Sequence, residues 1–209
     1  MKHSCFRSER ALPLVGDASF WINLFATKKA EAFVRGWKTS LAITEIALEE
    51  LDRGRSKGWS AAAEMEKLIA SGLTEVAPLT QQDKKIFMSL VSGPTSQTLD
   101  DGEAATIVVA ARRAGTALID ERKATSLAAA RFPKLMLCST IDLLLDPLSI
   151  ELLGEDQIAD AIFNALTGAR MRVPAHRMEE VLHFLGPTRI AKCQSLPERY
   201  RLQFLSRMS

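Results

Sequence analysis

One helix constrains this chain more than any other segment. Residues 104–111, AATIVVAA, carry no charge. A helix of that composition has no polar face, so it belongs inside the protein, covered on all sides. Asp100, Asp101 and Glu103 stand at its start. Gly115 then breaks the pattern, residues 116–119 read as a strand, and Asp120 and Glu121 follow at once. The start of a buried helix and the end of a strand are where parallel α/β folds place their chemistry.

The surrounding sequence supplies the sheet such a helix needs. Short apolar runs at 11–15, 40–43, 73–77, 116–119 and 135–138 read as strands. Helical spacing over 19–34, 45–53, 59–69, 80–91 and 122–130 alternates with them, punctuated by Gly36, Gly54, Gly72 and Pro133. Strands apolar on both faces, alternating with helices, predict a three-layer α/β fold: a Rossmann-like parallel sheet covered on both sides. Beyond the fifth strand the pattern is helical only: 141–153 interrupted by Pro147, then 155–166, 175–185 and 196–208. The expected organisation is a sheet domain over 11–146 with a helical extension, 147–209, packed on it as one globular unit.

A chain of 209 residues buries enough surface to need no covalent staple. Cys5, Cys138 and Cys193 are odd in number, far apart and in no metal-binding spacing. They are expected as free thiols in a reducing, cytoplasmic setting. No apolar run approaches the length of a membrane span, and residues 1–13 lack the apolar core of a signal peptide. The net charge of +2 is unevenly spread, about +5 over 169–209 and −3 elsewhere. A basic tail on an acidic body suits contact with nucleic acid, and equally suits a solvated basic helix.

The acids divide by position. Asp17 directly follows the first strand. It is either the N-cap of the helix near Phe20, a role open also to Ser19, or a site residue. On the helix from 45, Ala47, Leu48 and Leu51 share a face. Glu49 points away from it and Glu50 lies at its border, so Glu50 is the better candidate, with Glu45 in reserve. Glu103 shares a stripe with Ile107 and Ala110. It can close a capping box with Asp100, or it can face the site. Asp120 ends a strand and is either a helix cap or a ligand, while Glu121 reads as a complement to the helix dipole. Asp17, Glu103 and Asp120 converge on one sheet edge, with Glu50 starting near it. Carboxylates gathered there repel one another, and a hard divalent cation, Mg²⁺ or Mn²⁺, removes that cost.

Other chemistries find less support. GxGxxG and GxxxxGK[ST] are both missing, which removes the usual phosphate cradles. Asp17-Ala18-Ser19 is not the Asp-x-Asp of an aspartyl phosphatase. His176 and His183 share an expected helix without a third ligand.

VGDASFWINL, ITEIALEEL and LDDGEAATIVVAARRAGTALIDERKA together resemble a PIN domain, nearest the VapC-toxin-like branch with its GEA helix motif. The resemblance spans residues 14–185. It implies a Rossmann-like sheet and a metal-dependent ribonuclease using Mg²⁺ or Mn²⁺. Asp17, Glu50, Glu103 and Asp120 stand at the family's acidic positions. Asp17, Glu103 and Asp120 are the expected metal ligands, and Glu103 and Glu50 are expected to bind through water or orient it. It also implies an RNA substrate, an antitoxin partner and a homodimer. Ser19 and Thr140 are candidates to hold a ligand or a phosphate. Arg112, Arg113 and Arg122 are near enough in sequence for phosphate contact. Two departures stand out: Ser139-Thr140 replaces the family's Gly-Thr, and Pro147 interrupts a helix expected to continue. They leave room for a catalytically silent RNA- or protein-binding member.

Overall fold

The computed structural model describes residues 5–6, 12–55 and 60–207, with backbone alone over 203–207. Five strands, β1 (Leu14–Gly16), β2 (Leu41–Thr44), β3 (Glu75–Ala77), β4 (Thr116–Leu118) and β5 (Met136–Cys138), form one all-parallel sheet in the order β3-β2-β1-β4-β5. Gly16 pairs with Ile43 on one side and Leu118 on the other. All five expected strands are present, four of them shorter than their apolar runs and β2 shifted by one residue. Ala11, the expected first residue of β1, and Trp59, the expected start of a helix, lie outside the described residues.

Alternation along each strand feeds two cores. Leu14, Leu41, Ile43 and Leu118 face one apolar cluster, and Val15, Ala42 and Ala117 the other. The first cluster is roofed by α1 (Ala18–Ala26), α2 (Ala30–Gly36), α3 (Glu45–Arg55) and α4 (Ala61–Ala70), together with helices that follow β5. The second lies beneath α5 (Gln81–Val91), α6 (Asp101–Arg112) and α7 (Arg122–Arg131). Every residue of α6 from Ala104 to Ala110 is buried, as its uncharged sequence requires.

After β5 come α8 (Thr140–Leu144), α9 (Pro147–Leu153), α10 (Glu155–Gly168), α11 (Met178–Ile190) and α12 (Glu198–Arg207). Pro147 opens α9 at its first turn, where its missing N–H costs nothing. Ile158, Ile162 and Leu166 of α10 and Val181 and Leu185 of α11 join the same core as Leu24 and Phe33. No helix among the described residues is long and apolar enough to cross a membrane.

Two expectations are corrected. The helix expected over 19–34 is two helices, α1 and α2, because Lys28 adopts a left-handed backbone (φ 61°) between them. The three free thiols are one: Cys5 and Cys138 form a disulfide across 133 residues, and Cys193 stays free and buried. Residues 5–6 are held there independently. The Cys5 N–H donates to Asp146 (3.0 Å) and the Phe6 ring lies 5.8 Å from that of Trp37. Spacing along the chain carries no signal for a pair brought together only by the tertiary fold.

Candidate metal centre

The sheet order reverses between β1 and β4, and in doubly wound folds ligands bind in the crevice beyond the strand ends at that point. Asp17 follows β1 and Asp120 follows Ile119, one residue beyond β4. The Asp17 N–H donates to Leu118 O (3.2 Å), tying the two strand ends together.

Asp17 is 3% exposed. It is the N-cap of α1: Oδ1 accepts from the Phe20 N–H (2.6 Å), and the Ser19 hydroxyl donates to both carboxylate oxygens (2.9 Å). The turn that delivers it needs Gly16, since a Cβ there would lie 2.4 Å from the Phe20 ring. Capping and site membership are compatible in Asp17. Burial raises its pKa well above the ordinary carboxylate value, the charges of Asp120 and Glu103 raise it further, and the Phe20 and Ser19 hydrogen bonds oppose both.

Asp120 accepts from the Thr140 N–H (2.7 Å), from the Thr140 hydroxyl and from Asn23 Nδ2 (2.6 Å). Burial pushes its pKa up against those three donors, and the charge of Asp142 adds to the rise. It does not cap α7. Glu121 does, accepting from the Ala124 N–H (2.8 Å), and this leaves Asp120 to the crevice. Asn23 lies on α1, six residues beyond Asp17, and was not legible as a site residue, because an Asn among Trp21, Ile22 and Leu24 gives no pattern of its own.

Glu103 reaches back to the Asp100 N–H (3.3 Å), the arrangement a capping box requires. Its pKa is pushed up to about 7, by burial first. The Asp100 N–H and Lys123 oppose the rise, and the charges of Asp100 and Glu121 assist it. Its charge is felt at Asp17, so it borders the pair. Glu50 meets the start of α6. It accepts from the Gly102 N–H (3.2 Å), and the charges about it are those of Arg53, Asp100 and Asp101. Burial raises its pKa too. Gly102 is required by this contact, as a Cβ there would lie 2.4 Å from Glu50 Oε2. Glu45 is exposed on the first turn of α3.

Thr140, expected as a weaker candidate, orients Asp120. Arg112 pairs with Asp83 (2.9 Å) and Arg113 with Glu75, which turns both toward β3 and α5 and away from the crevice. Behind Thr140, Asp142 accepts from the Ser139 hydroxyl (2.6 Å) and from Arg177 Nε (2.7 Å). Burial pushes Asp142 upward, but the Ser139 and Arg177 contacts prevail and hold it below the ordinary value.

Among the described residues, no three His, Cys, Asp or Glu side chains gather closely enough to hold a metal ion. Two carboxylates on neighbouring strand ends, Asp17 buried and Asp120 half-buried, do fit Mg²⁺. That ion commonly takes one or two protein carboxylates and completes its shell with water and substrate phosphate. Asp17 and Asp120 would be that pair, and burial raises the pKa of both.

Asp120 lies where two clefts meet. One, of about 900 Å³, runs along α1 and the end of α10 and carries Lys28, Arg170 and Arg172. The other, of about 680 Å³, carries Arg122, Arg172, His176 and Arg177. Asp120 and Arg172 line both, so cations stand on each side of Asp120, with Arg177 paired to Asp142 and Glu180.

No curated protein and no solved structure matches the chain at a significant level. Residues 13–187 match the family DUF3368, described as a PIN domain. With that match covering most of its length and the expected sheet in place, the chain belongs to this PIN-domain family.

Proposed function

We propose that the protein is a Mg²⁺- or Mn²⁺-dependent endoribonuclease that hydrolyses phosphodiester bonds in RNA. The observation that carries this reading is the Asp17–Asp120 pair, one buried and one half-buried, on adjacent strand ends at the point where the sheet reverses. Asp17 and Asp120 would hold the ion, which supplies a hydroxide near neutral pH and polarises the phosphate. Ser19 fixes the Asp17 carboxylate, and Asn23 and Thr140 fix that of Asp120. Glu103, with a pKa of about 7, is suited to accept a proton on its carboxylate from the attacking water. Arg122, Arg170 and Arg172 supply positive charge for the phosphates on either side. Glu50, held at the start of α6, positions that helix and with it Glu103.

The second reading is a catalytically silent RNA- or protein-binding module. It is favoured by the lack of a third carboxylate in liganding range among the described residues. Cleavage of single-stranded RNA under a Mg²⁺ and Mn²⁺ titration separates the two. Metal-dependent cutting that EDTA abolishes, and that Asp17→Asn lowers at least about 100-fold, supports the nuclease. No cutting of any tested RNA by the wild type supports the silent module.

A toxin role with an antitoxin partner, and a homodimer, belong to the same proposal. Ile86 and Met88, about half exposed on α5, offer apolar surface for such contacts. Cytoplasmic residence goes with an RNA substrate. There the state of Cys5–Cys138 is set by its potential against the thiol pool.

A further inference from the structure

Of the two clefts that meet at Asp120, the larger bears on how a strand is read. The larger has apolar walls. Ile22 and Phe25 come from α1, and Met171 from the turn after α10. Asn164 of α10 stands among them, with Nδ2 reaching Thr27 O only at 3.5 Å. At its edge stand Lys28 and Arg170, both in left-handed backbone conformations (φ 61° and 55°) that L-residues seldom adopt. Conformations of that cost persist where the surrounding structure imposes them, and they gather at ligand sites. Neither cation has a carboxylate partner among the described residues. The smaller cleft carries Arg122, Thr125, Ser126, Ser139 and His176, with Ile119, Leu137 and Pro174 as its apolar lining.

We infer that the larger cleft is a nucleobase site, taking one unpaired base of the strand whose phosphate sits at Asp17 and Asp120. This rests on the nucleic-acid reading of the site above. A base is a flat apolar ring with a hydrogen-bonding edge, joined to an anion. The cleft presents the matching set: apolar faces, one amide able to donate and accept, and cations beside the carboxylates. Its volume of about 900 Å³ lies within the range of sites that enclose small organic ligands. A base can enter only when unstacked, so the site selects single strands, loops and bulges over duplex. The protein therefore reads the presence of a base at one position of the strand.

The test is binding of a labelled hexaribonucleotide in Ca²⁺, by fluorescence anisotropy, with each position in turn made abasic. The expected result is about a tenfold loss at one position and less than about twofold elsewhere. Thr167→Trp places a large ring in the cleft from an exposed residue whose hydroxyl bonds only its own helix. It should bind the intact strand as weakly as wild type binds the critical abasic one, and should no longer distinguish abasic positions. Asn164→Ala should reduce the same positional difference without a bulky group. Equal losses at every position, unchanged binding by Thr167→Trp, or no binding of any hexamer would overturn the inference. The readout needs no cleavage. RNA cutting with uniform abasic losses removes the base site and leaves the nuclease. A single critical position without cutting keeps the base site and removes the nuclease.

Discussion

Asp120 and Glu121 are adjacent, chemically similar, and divided in role by one hydrogen bond: Glu121 caps α7, and Asp120 is left to accept from Asn23 and Thr140. Sequence position led to Asp120 because it ends a strand, and to Asp17 for the same reason. It could not show which neighbour would cap the helix. Nor could it show Asn23, whose role depends on a contact across 97 residues. Glu50 shows the opposite limit. Its place at the border of a helix face was legible, but its partner is the Gly102 N–H of another helix. The glycine of the GEA motif thereby gains a reason, since it leaves room for that carboxylate. Gly102→Ala is predicted to destabilise the fold by about 1–3 kcal/mol through overpacking. Adding Glu50→Ala should recover part of that loss, a non-additivity that chemical denaturation of the two single variants and the double would reveal.

At the scale of elements, the three central strands and the buried α6 were readable because burial on both faces leaves a continuous apolar signature. The join between α8 and the start of α11 was not. Arg177, 8% exposed, pairs with Asp142 of α8 (2.7 Å) and Glu180 of α11 (2.9 Å), so one guanidinium ties the turn that positions Thr140 to the C-terminal helices. An arginine in a basic tail looks like any other until its burial is known. The C-terminal charge excess was thus a mixed signal: Arg170 and Arg172 line the clefts, while Arg177 is structural and Arg189 pairs with Asp160. Arg177→Met leaves Asp142 a recessed charge without its cation and should cost about 3–5 kcal/mol. Arg177→Met with Asp142→Asn should cost less than the sum of the two single changes, measured as unfolding free energies.

For the whole molecule, the account turns on uncompensated negative charge at the point where the sheet order reverses. Asp17, Asp120 and Glu103 all have pKa values raised in the folded state, chiefly by burial. A group of that kind favours the folded state while protonated. Its contribution is full below the unfolded pKa and is lost as pH rises through the folded value, which for Glu103 is about 7. Without metal, therefore, the protein should lose thermal stability as pH rises through neutrality. A divalent ion that binds the ionised carboxylates of the folded state should restore it by mass action. The disulfide and the split of α1 from α2 lie outside this logic. They were illegible for a different reason, since a left-handed Lys28 and a Cys pair 133 residues apart leave no periodic trace.

The most direct measurement is the melting temperature with and without saturating Mn²⁺, at pH about 6 and about 8, for wild type, Asp17→Asn and Asp120→Asn. The account predicts that Mn²⁺ raises the wild-type Tm, more at the higher pH, and that either substitution removes most of the shift while raising the metal-free Tm at the higher pH. A Mn²⁺ shift of the same size in all three proteins, or none in the wild type at either pH, would contradict the assignment of Asp17 and Asp120 as the metal-binding pair.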